Sequence, residues 1–347
     1  RATVAHTSPP VSAYRFEIRR TESHETPTRS AMPSTTAAVV GAGTIGLSWA
    51  ALFAGHGMRV RVTDPRPDLA EAVAEALERA AGQLAAQGLD VHGLAERVHI
   101  ADDLADAVRD ADVVQENGPE NADFKRELFT TLVGAAPTHA LLLSSSSAIP
   151  VTAFTDTIEK ADRILIGHPF NPPHLVPLVE VVPGQRTSQE SVARAVDFYR
   201  SVGRVPVVER KEIPGFVGNR LQNALSREAI YLVEQGVVSP AELDTVMVNS
   251  LGLRWATVGP FLGAHLGGGP GGYRHMAEHI GVSMQRMWDS LGRPEQSPEQ
   301  TERLVAAVEE AYGSRSYADL SQERDAKQIA VLSARDNSPT LEKETRS

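Results

Sequence analysis

The chain has 347 residues, 41% hydrophobic and 22% charged, enough for two ordinary domains with a sizeable core, and it reads as globular. A formal net charge of −10 argues against a nucleic acid partner, and no apolar run approaches the ~18 residues that span a bilayer, which argues against a membrane. There is no cysteine, which excludes disulfides, thiolate zinc sites and thiol catalysis and suits a cytoplasmic location.

Residues 1–36 are rich in Ser, Thr and Pro and contain arginines but no lysine. Such a segment buries too little apolar surface to offset its ordering entropy, so it is expected to be a disordered extension outside the fold. Met32 reads as a candidate start. A transit peptide is the other reading, opposed by Glu17, Glu22 and Glu25, because such peptides are poor in acids.

From Thr36 strand and helix signals alternate. "TAAVV" is a β-rich run ending in "GAGTIG", and a helical pattern follows from about Ile45 to Gly55. "MRVRVTD" ends at Asp64, and an Ala/Glu/Leu-rich helix covers about Asp68 to Gln87. "RVHIAD" and "ADVVQEN" are further strands. "NADFKRELFTTLVGAA" is an amphipathic helix capped by Asn121, with Phe124, Leu128 and Leu132 on its apolar face. "ALLLSSS", "ILIGHPF" and "LVEVVPG" complete the strands. Such alternation specifies an α/β fold: an N-terminal Rossmann-type doubly wound sheet over residues 37–213. The pattern changes near Pro214. A long helix from about Gly215 to Gln235 opens an all-helical C-terminal domain over residues 214–334, and a flexible tail covers 335–347. The "GGGPGG" stretch follows no strand and reads as a flexible loop over the substrate.

Gly41-x-Gly43-x-x-Gly46 follows a strand and opens a helix, and Asp64 ends the next strand. This context carries far more weight than the glycines alone. Gly41 permits a tight turn, Gly43 lets a pyrophosphate approach the backbone, and Gly46 lets the helix pack closely; Thr44 and Ile45 contribute helix N-terminal amides. Asp64 is placed to accept from the adenosine ribose and repels a 2′-phosphate, so NAD is expected over NADP, although Arg66 is a residue type that accommodates that phosphate.

Oxidation at a hydroxyl needs a base beside the nicotinamide. His168 follows an apolar strand at its C-terminal end, where open α/β sheets bind ligands. Glu180 lies twelve residues on in "LVEVV", and a carboxylate among apolar neighbours needs a partner. Pairing the two would fix the imidazole tautomer. Ser147 and Asn219 are placed to hydrogen-bond the reacting oxygen. A hydrolase triad of Ser147, His168 and Glu180 lacks the G-x-S-x-G elbow and ranks low. His275 and His279 flank Glu278 without a third ligand and read as a solvated helix face, so no metal is expected.

Together "VVGAGTIG", "PENADFKRELF", "SSSSAI", "GHPFNPPHLVPLVEVV" and "PGFVGNR" resemble the 3-hydroxyacyl-CoA dehydrogenase family, in order and spacing, from Ala37 to about Ala334. The resemblance implies NAD-dependent oxidation of a 3-hydroxyl. It casts Ser147 as substrate-binding, His168 as base, Glu180 as its orienting group and Asn219 as the residue completing the site. It places Glu120 and Lys125 on the nicotinamide side and implies a homodimer joined through the helical domain. "GLRWATVGPFLGAHLGGGPGGYRHMAEH" and "LSQERDAKQIAVL" look like the carnitine 3-dehydrogenase branch; lambda-crystallin and L-gulonate 3-dehydrogenase are more distantly similar. That points to a small free 3-hydroxy acid. Arg254 offers a bidentate clamp for its carboxylate, and Trp255 with Phe261 and Tyr273 offers aromatic faces for a quaternary ammonium. The alternatives are an acyl-CoA thioester substrate, a larger or carrier-bound 3-oxo substrate, and a crystallin-like NAD-binding protein without turnover.

Overall fold

The computed structural model describes residues 35–295 and 297–336. The expected extension, Met32 included, therefore lies outside the described residues except for Thr35 and Thr36, and so does the expected tail beyond Asp336. The first part of the chain runs β1 (Thr36–Val40), α1 (Thr44–Gly55), β2 (Arg59–Thr63), α2 (Leu69–Ala86), β3 (Val98–Ile100), α3 (Leu104–Val108), β4 (Val113–Glu116), α4 (Ala122–Ala135), β5 (Leu141–Ser144), α5 (Thr152–Thr155), β6 (Ile164–Pro169), β7 (Leu178–Pro183), α6 (Gln189–Ser201) and β8 (Val205–Val208). The second part is helical: α7 (Phe216–Glu234), α8 (Pro240–Asn249), α9 (Leu251–Thr257), α10 (Pro260–Gly267), α11 (Gly272–Ser290), α12 (Pro298–Tyr312) and α13 (Tyr317–Asp336).

The strands form one sheet in the order β3-β2-β1-β4-β5-β6-β7-β8. All neighbours are parallel except β6 and β7. The link between those two, residues 170–177, is too short for the dozen-residue crossover that a parallel return requires. β1, β4, β5 and β6 are buried along their whole length, as a sheet covered on both faces demands. One face packs under α1, α2 and α6, where Trp49 stacks on Phe53 at 5.2 Å and leans on Tyr199 at 5.7 Å. The other packs around Phe129 and Phe154, 5.2 Å apart.

Two local expectations are corrected. On α4 the buried residues are Lys125, Phe129 and Leu132, while Phe124 is exposed. The inward face is rotated because Lys125 is drawn inside by a carboxylate described below. The "GGGPGG" stretch is a tight helical turn, Gly269–Gly271, joining α10 to α11 and packing against both, rather than an open loop. The helical part buries little of its own apolar surface: Phe261 and Leu266 on α10 and Trp288 on α11 are exposed.

Candidate active site

The glycine loop leaves β1 with Gly41 at φ +95°, a conformation that side-chain-bearing residues rarely adopt, and a Cβ there would lie 2.9 Å from the Asn117 backbone. A Cβ on Gly46 would lie 1.9 Å from the Gly41 carbonyl oxygen, so only glycine lets α1 start this close to the turn. Nothing lies within 4 Å of a Cβ on Gly43, and α1 has no side-chain cap, so the first-turn amides, around Thr44 and Ile45, face open space as phosphate binding requires. These features fit a dinucleotide pyrophosphate. The Asp64 carboxylate accepts from the Ala42 amide at 2.6 Å and the Arg66 amide at 2.9 Å, which ties the end of β2 to the loop. Arg66 is itself held by Asp68 and by the Ala42 carbonyl.

Beyond β4 the chain builds a buried ionic knot. Lys125 reaches both Glu116 oxygens at 2.9 Å, and that carboxylate also accepts from the Ser144 hydroxyl at 2.5 Å and the Gly118 amide at 2.6 Å. Lys125 is thus enclosed and committed to Glu116, which differs from the cofactor-facing position that resemblance implied for it. Glu120, by contrast, is exposed at the rim. Its Oε1 accepts from the Ser146 hydroxyl at 2.6 Å and the amides of Ser147, Ala148 and Ile149 at 2.9–3.2 Å, shaping the serine loop. Ser145 donates to Asn117 and accepts from Trp49 and Gln115, linking that loop to the glycine turn. Ser147 is the one of the four serines whose hydroxyl has no hydrogen bond among the described residues.

His168 and Glu180 are direct partners in the antiparallel register of β6 and β7. Their side chains meet on one face, Nδ1 to Oε2 at 2.7 Å, with only 5% and 2% of the two residues exposed. With Nδ1–H donating to the carboxylate, Nε2 is left as the basic nitrogen. Glu180 Oε1 accepts from the Val217 amide at 3.0 Å and the Gly218 amide at 2.7 Å. Burial acts to raise the Glu180 carboxyl, but the bonds from His168 and Gly218 outweigh it and hold it below its ordinary value. The amides are presented by an irregular start to α7: Gly215 and Phe216 both have left-handed backbones, φ +78° and +50°. The Phe216 and Phe170 rings pack beside the imidazole at 5.5 and 5.3 Å. Asn219, one turn into α7, donates to the Ser147 carbonyl at 2.9 Å. Ser147, His168, Glu180 and Asn219 are thereby gathered where the sheet meets the first C-terminal helix.

Arg254 and Trp255 are not part of this cluster. Both are exposed on α9, which packs mainly against α8 and α10, and neither hydrogen-bonds nor stacks with the four residues. The rings of His275 and His279 lie 4.0 Å apart on α11, tilted by 38°.

Sequence reasoning missed three things: the Glu116–Lys125 knot, a buried Glu209, and a chain of hydrogen bonds around His174. The His174 amide donates to Ser48 Oγ at 3.1 Å, and its Nδ1 meets the same oxygen at 2.6 Å; Nε2 meets Gln83 Oε1 at 2.5 Å, and Gln83 donates to Asp325 at 2.8 Å. The chain ties the cofactor helix α1, the loop after β6, α2 and α13 around a cleft of about 500 Å³ that Gly43, Thr44, Asn171 and Arg324 help to line. "FNPPHL" was the only available signal, a histidine among turn residues.

Residues 36–213 match the family profile described as 3-hydroxyacyl-CoA dehydrogenase, NAD binding domain, and residues 215–307 match its C-terminal domain. The chain is 42% identical over 297 residues to an L-carnitine dehydrogenase of Streptomyces coelicolor, covering 86% of this chain and 93% of that one. It is 40% identical over 305 residues to a 3-hydroxyacyl-CoA dehydrogenase of Gibberella moniliformis, covering 86% and 94%. Among solved structures, an NAD+-dependent dismutase described as a 5-formyl-3-hydroxy-2-methylpyridine 4-carboxylic acid 5-dehydrogenase superposes with a TM-score of 0.75 at 32% identity, over 89% of this chain and 100% of that one. The chain therefore belongs to the 3-hydroxyacyl-CoA dehydrogenase family and is an NAD-dependent dehydrogenase.

Proposed function

We propose that the chain oxidises the 3-hydroxyl of a small, carnitine-like free 3-hydroxy acid, with His168 as the general base. The observation that carries this reading is the 2.7 Å contact between His168 Nδ1 and Glu180, which leaves Nε2 to take the hydroxyl proton. Glu180 keeps the imidazole in that tautomer and stabilises the imidazolium formed. The Ser147 hydroxyl hydrogen-bonds the reacting oxygen, and Asn219 closes the same site from α7. The glycine loop and the α1 amides hold the cofactor pyrophosphate, Asp64 the adenosine ribose, and Glu120 lies on the nicotinamide side. NAD, when bound, supplies the acceptor for the hydride leaving C3, so the substrate loses a hydride and a proton and becomes a 3-oxo acid.

Several relatives are L-carnitine dehydrogenases, which favours a free acid bearing a quaternary ammonium. Arg254 and Trp255 are the proposed clamp for that substrate. Their exposure, with that of Phe261, Leu266 and Trp288, supports a homodimer in which a second copy covers this helical face. A second reading, a coenzyme A thioester substrate, is favoured by the Gibberella relative's description. Assays of carnitine, gulonate, 3-hydroxybutyrate and 3-hydroxybutyryl-CoA, followed by NADH absorbance, separate the two. Turnover of the thioester alone overturns the free-acid reading.

A further inference from the structure

Glu209 stands just after β8, 7% exposed, beside the partner that orients His168. Its Oε1 accepts from the Val217 amide at 2.8 Å, and the same amide donates to Glu180 Oε1 at 3.0 Å. One N–H thus holds two carboxyl oxygens together in a three-centre bond. Among the described residues no lysine or arginine forms an ion pair with either carboxyl. The titratable groups facing Glu209 are Glu180 from β7 and His168 from β6, while α7 presents the Val217 amide. Two carboxylates enclosed this closely, with one imidazole to balance them, cannot both stay ionised at little cost.

We propose that Glu209 is a positioning residue for the His168–Glu180 pair, sharing a single proton with Glu180 across the Val217 amide. The proton resides on Glu209: burial pushes its carboxyl up and the neighbouring Glu180 adds to this, against the opposing pull of the Val217 amide, while Glu180 is held low by His168 and Gly218. Protonated Glu209 donates to Glu180, which keeps its other oxygen for His168. The two carboxyls thus carry one negative charge between them, and Glu209 holds Glu180 in line with the imidazole. This inference rests on the base role proposed above for His168.

The test compares wild type, Glu209→Gln and His168→Gln. Glutamine keeps a donor toward Glu180 and an acceptor for Val217 but cannot ionise. Glu209→Gln is expected to keep its NAD affinity and to leave the acid limb of the kcat/KM profile for oxidation where wild type has it, because protonated Glu209 and glutamine both leave His168 facing one carboxylate. Infrared spectra of wild type near neutral pH should show a protonated carboxylic acid band that Glu209→Gln lacks. An acid limb moved to lower pH, or a band that persists in the variant, overturns the shared proton. So does a wild-type spectrum without the band, a result that needs no variant to fold. His168→Gln with undiminished turnover removes the base role instead, and the infrared band then judges the carboxyl pair by itself.

Discussion

Lys125 and Glu116 neutralise each other where neither meets water: they are 2.9 Å apart, and their side chains are 1% and 0% exposed. A pair so enclosed is weak support for stability while intact, yet breaking one half strands a charge. Lys125→Met should cost about 3–5 kcal/mol in denaturant unfolding. The double variant Glu116→Gln/Lys125→Met should recover much of that loss. A single variant as stable as wild type would contradict this account of the knot.

Removing the imidazole should separate chemistry from binding. His168→Gln is expected to lower kcat by about 10²–10⁴-fold, the usual range for a general base, while the dissociation constant for NAD stays unchanged. Glu180→Gln should also lower kcat, since the amide can turn its N–H toward Nδ1 and favour the wrong tautomer. A fall in NAD affinity matching the fall in rate would mean that these residues bind cofactor rather than move a proton.

His174 predicts how stability depends on pH. Burial pushes it down from 6.5 to about 4, the nearby Asp325 only partly opposing this. Its folded-state value lies below its unfolded one, so on acidification the unfolded chain takes up the proton first. Stability is undiminished above pH 6.5, declines as the pH falls from 6.5 to about 4, and loses nothing further from this group below that. The whole loss is on the order of 3 kcal/mol. His174→Asn should flatten that part of the stability curve, read by denaturant melts at stepped pH; an unchanged slope would rule out His174 as its source.

Arg254→Ala should raise KM for the hydroxy acid by about tenfold or more and leave KM for NAD alone. Sedimentation should give a dimer, and charged substitutions at Phe261 or Leu266 should shift it toward monomer. An Arg254→Ala enzyme with unaltered KM removes that residue from substrate recognition.

The sheet, the glycine loop and the His168–Glu180 pair were legible because each leaves a local mark. The loop needs glycines where a Cβ would strike backbone, and an acid flanked by valines must find a partner. Asn121 was readable as a helix cap, and its side chain does accept from the Phe124 amide at 2.9 Å. The strand β8 was missed because exposed Val205, Val207 and Val208 alternate with nothing; it lies at the sheet edge. The burial of Lys125, expected on the nicotinamide side, left no local mark because the carboxylate that draws it inward sits on another element. The His174 chain joins residues 126, 91 and 242 positions apart, and no local periodicity encodes such meetings. Glu209 sits in "VVERKE", where it is indistinguishable from its solvated neighbours.

The β6–β7 ladder has a kinetic corollary. His168 and Glu180 belong to neighbouring strands of one sheet, whereas Asn219 and the amides of Val217 and Gly218 arrive on α7. Were the helices to hinge away on product release, the histidine proposed as base would stay in place and lose only its lid and the donors behind Glu180. Each cycle would then restart by reseating a helix terminus, with no reassembly of the proposed acid–base couple, so substitutions along α7 would tune the pace of turnover without touching the chemistry.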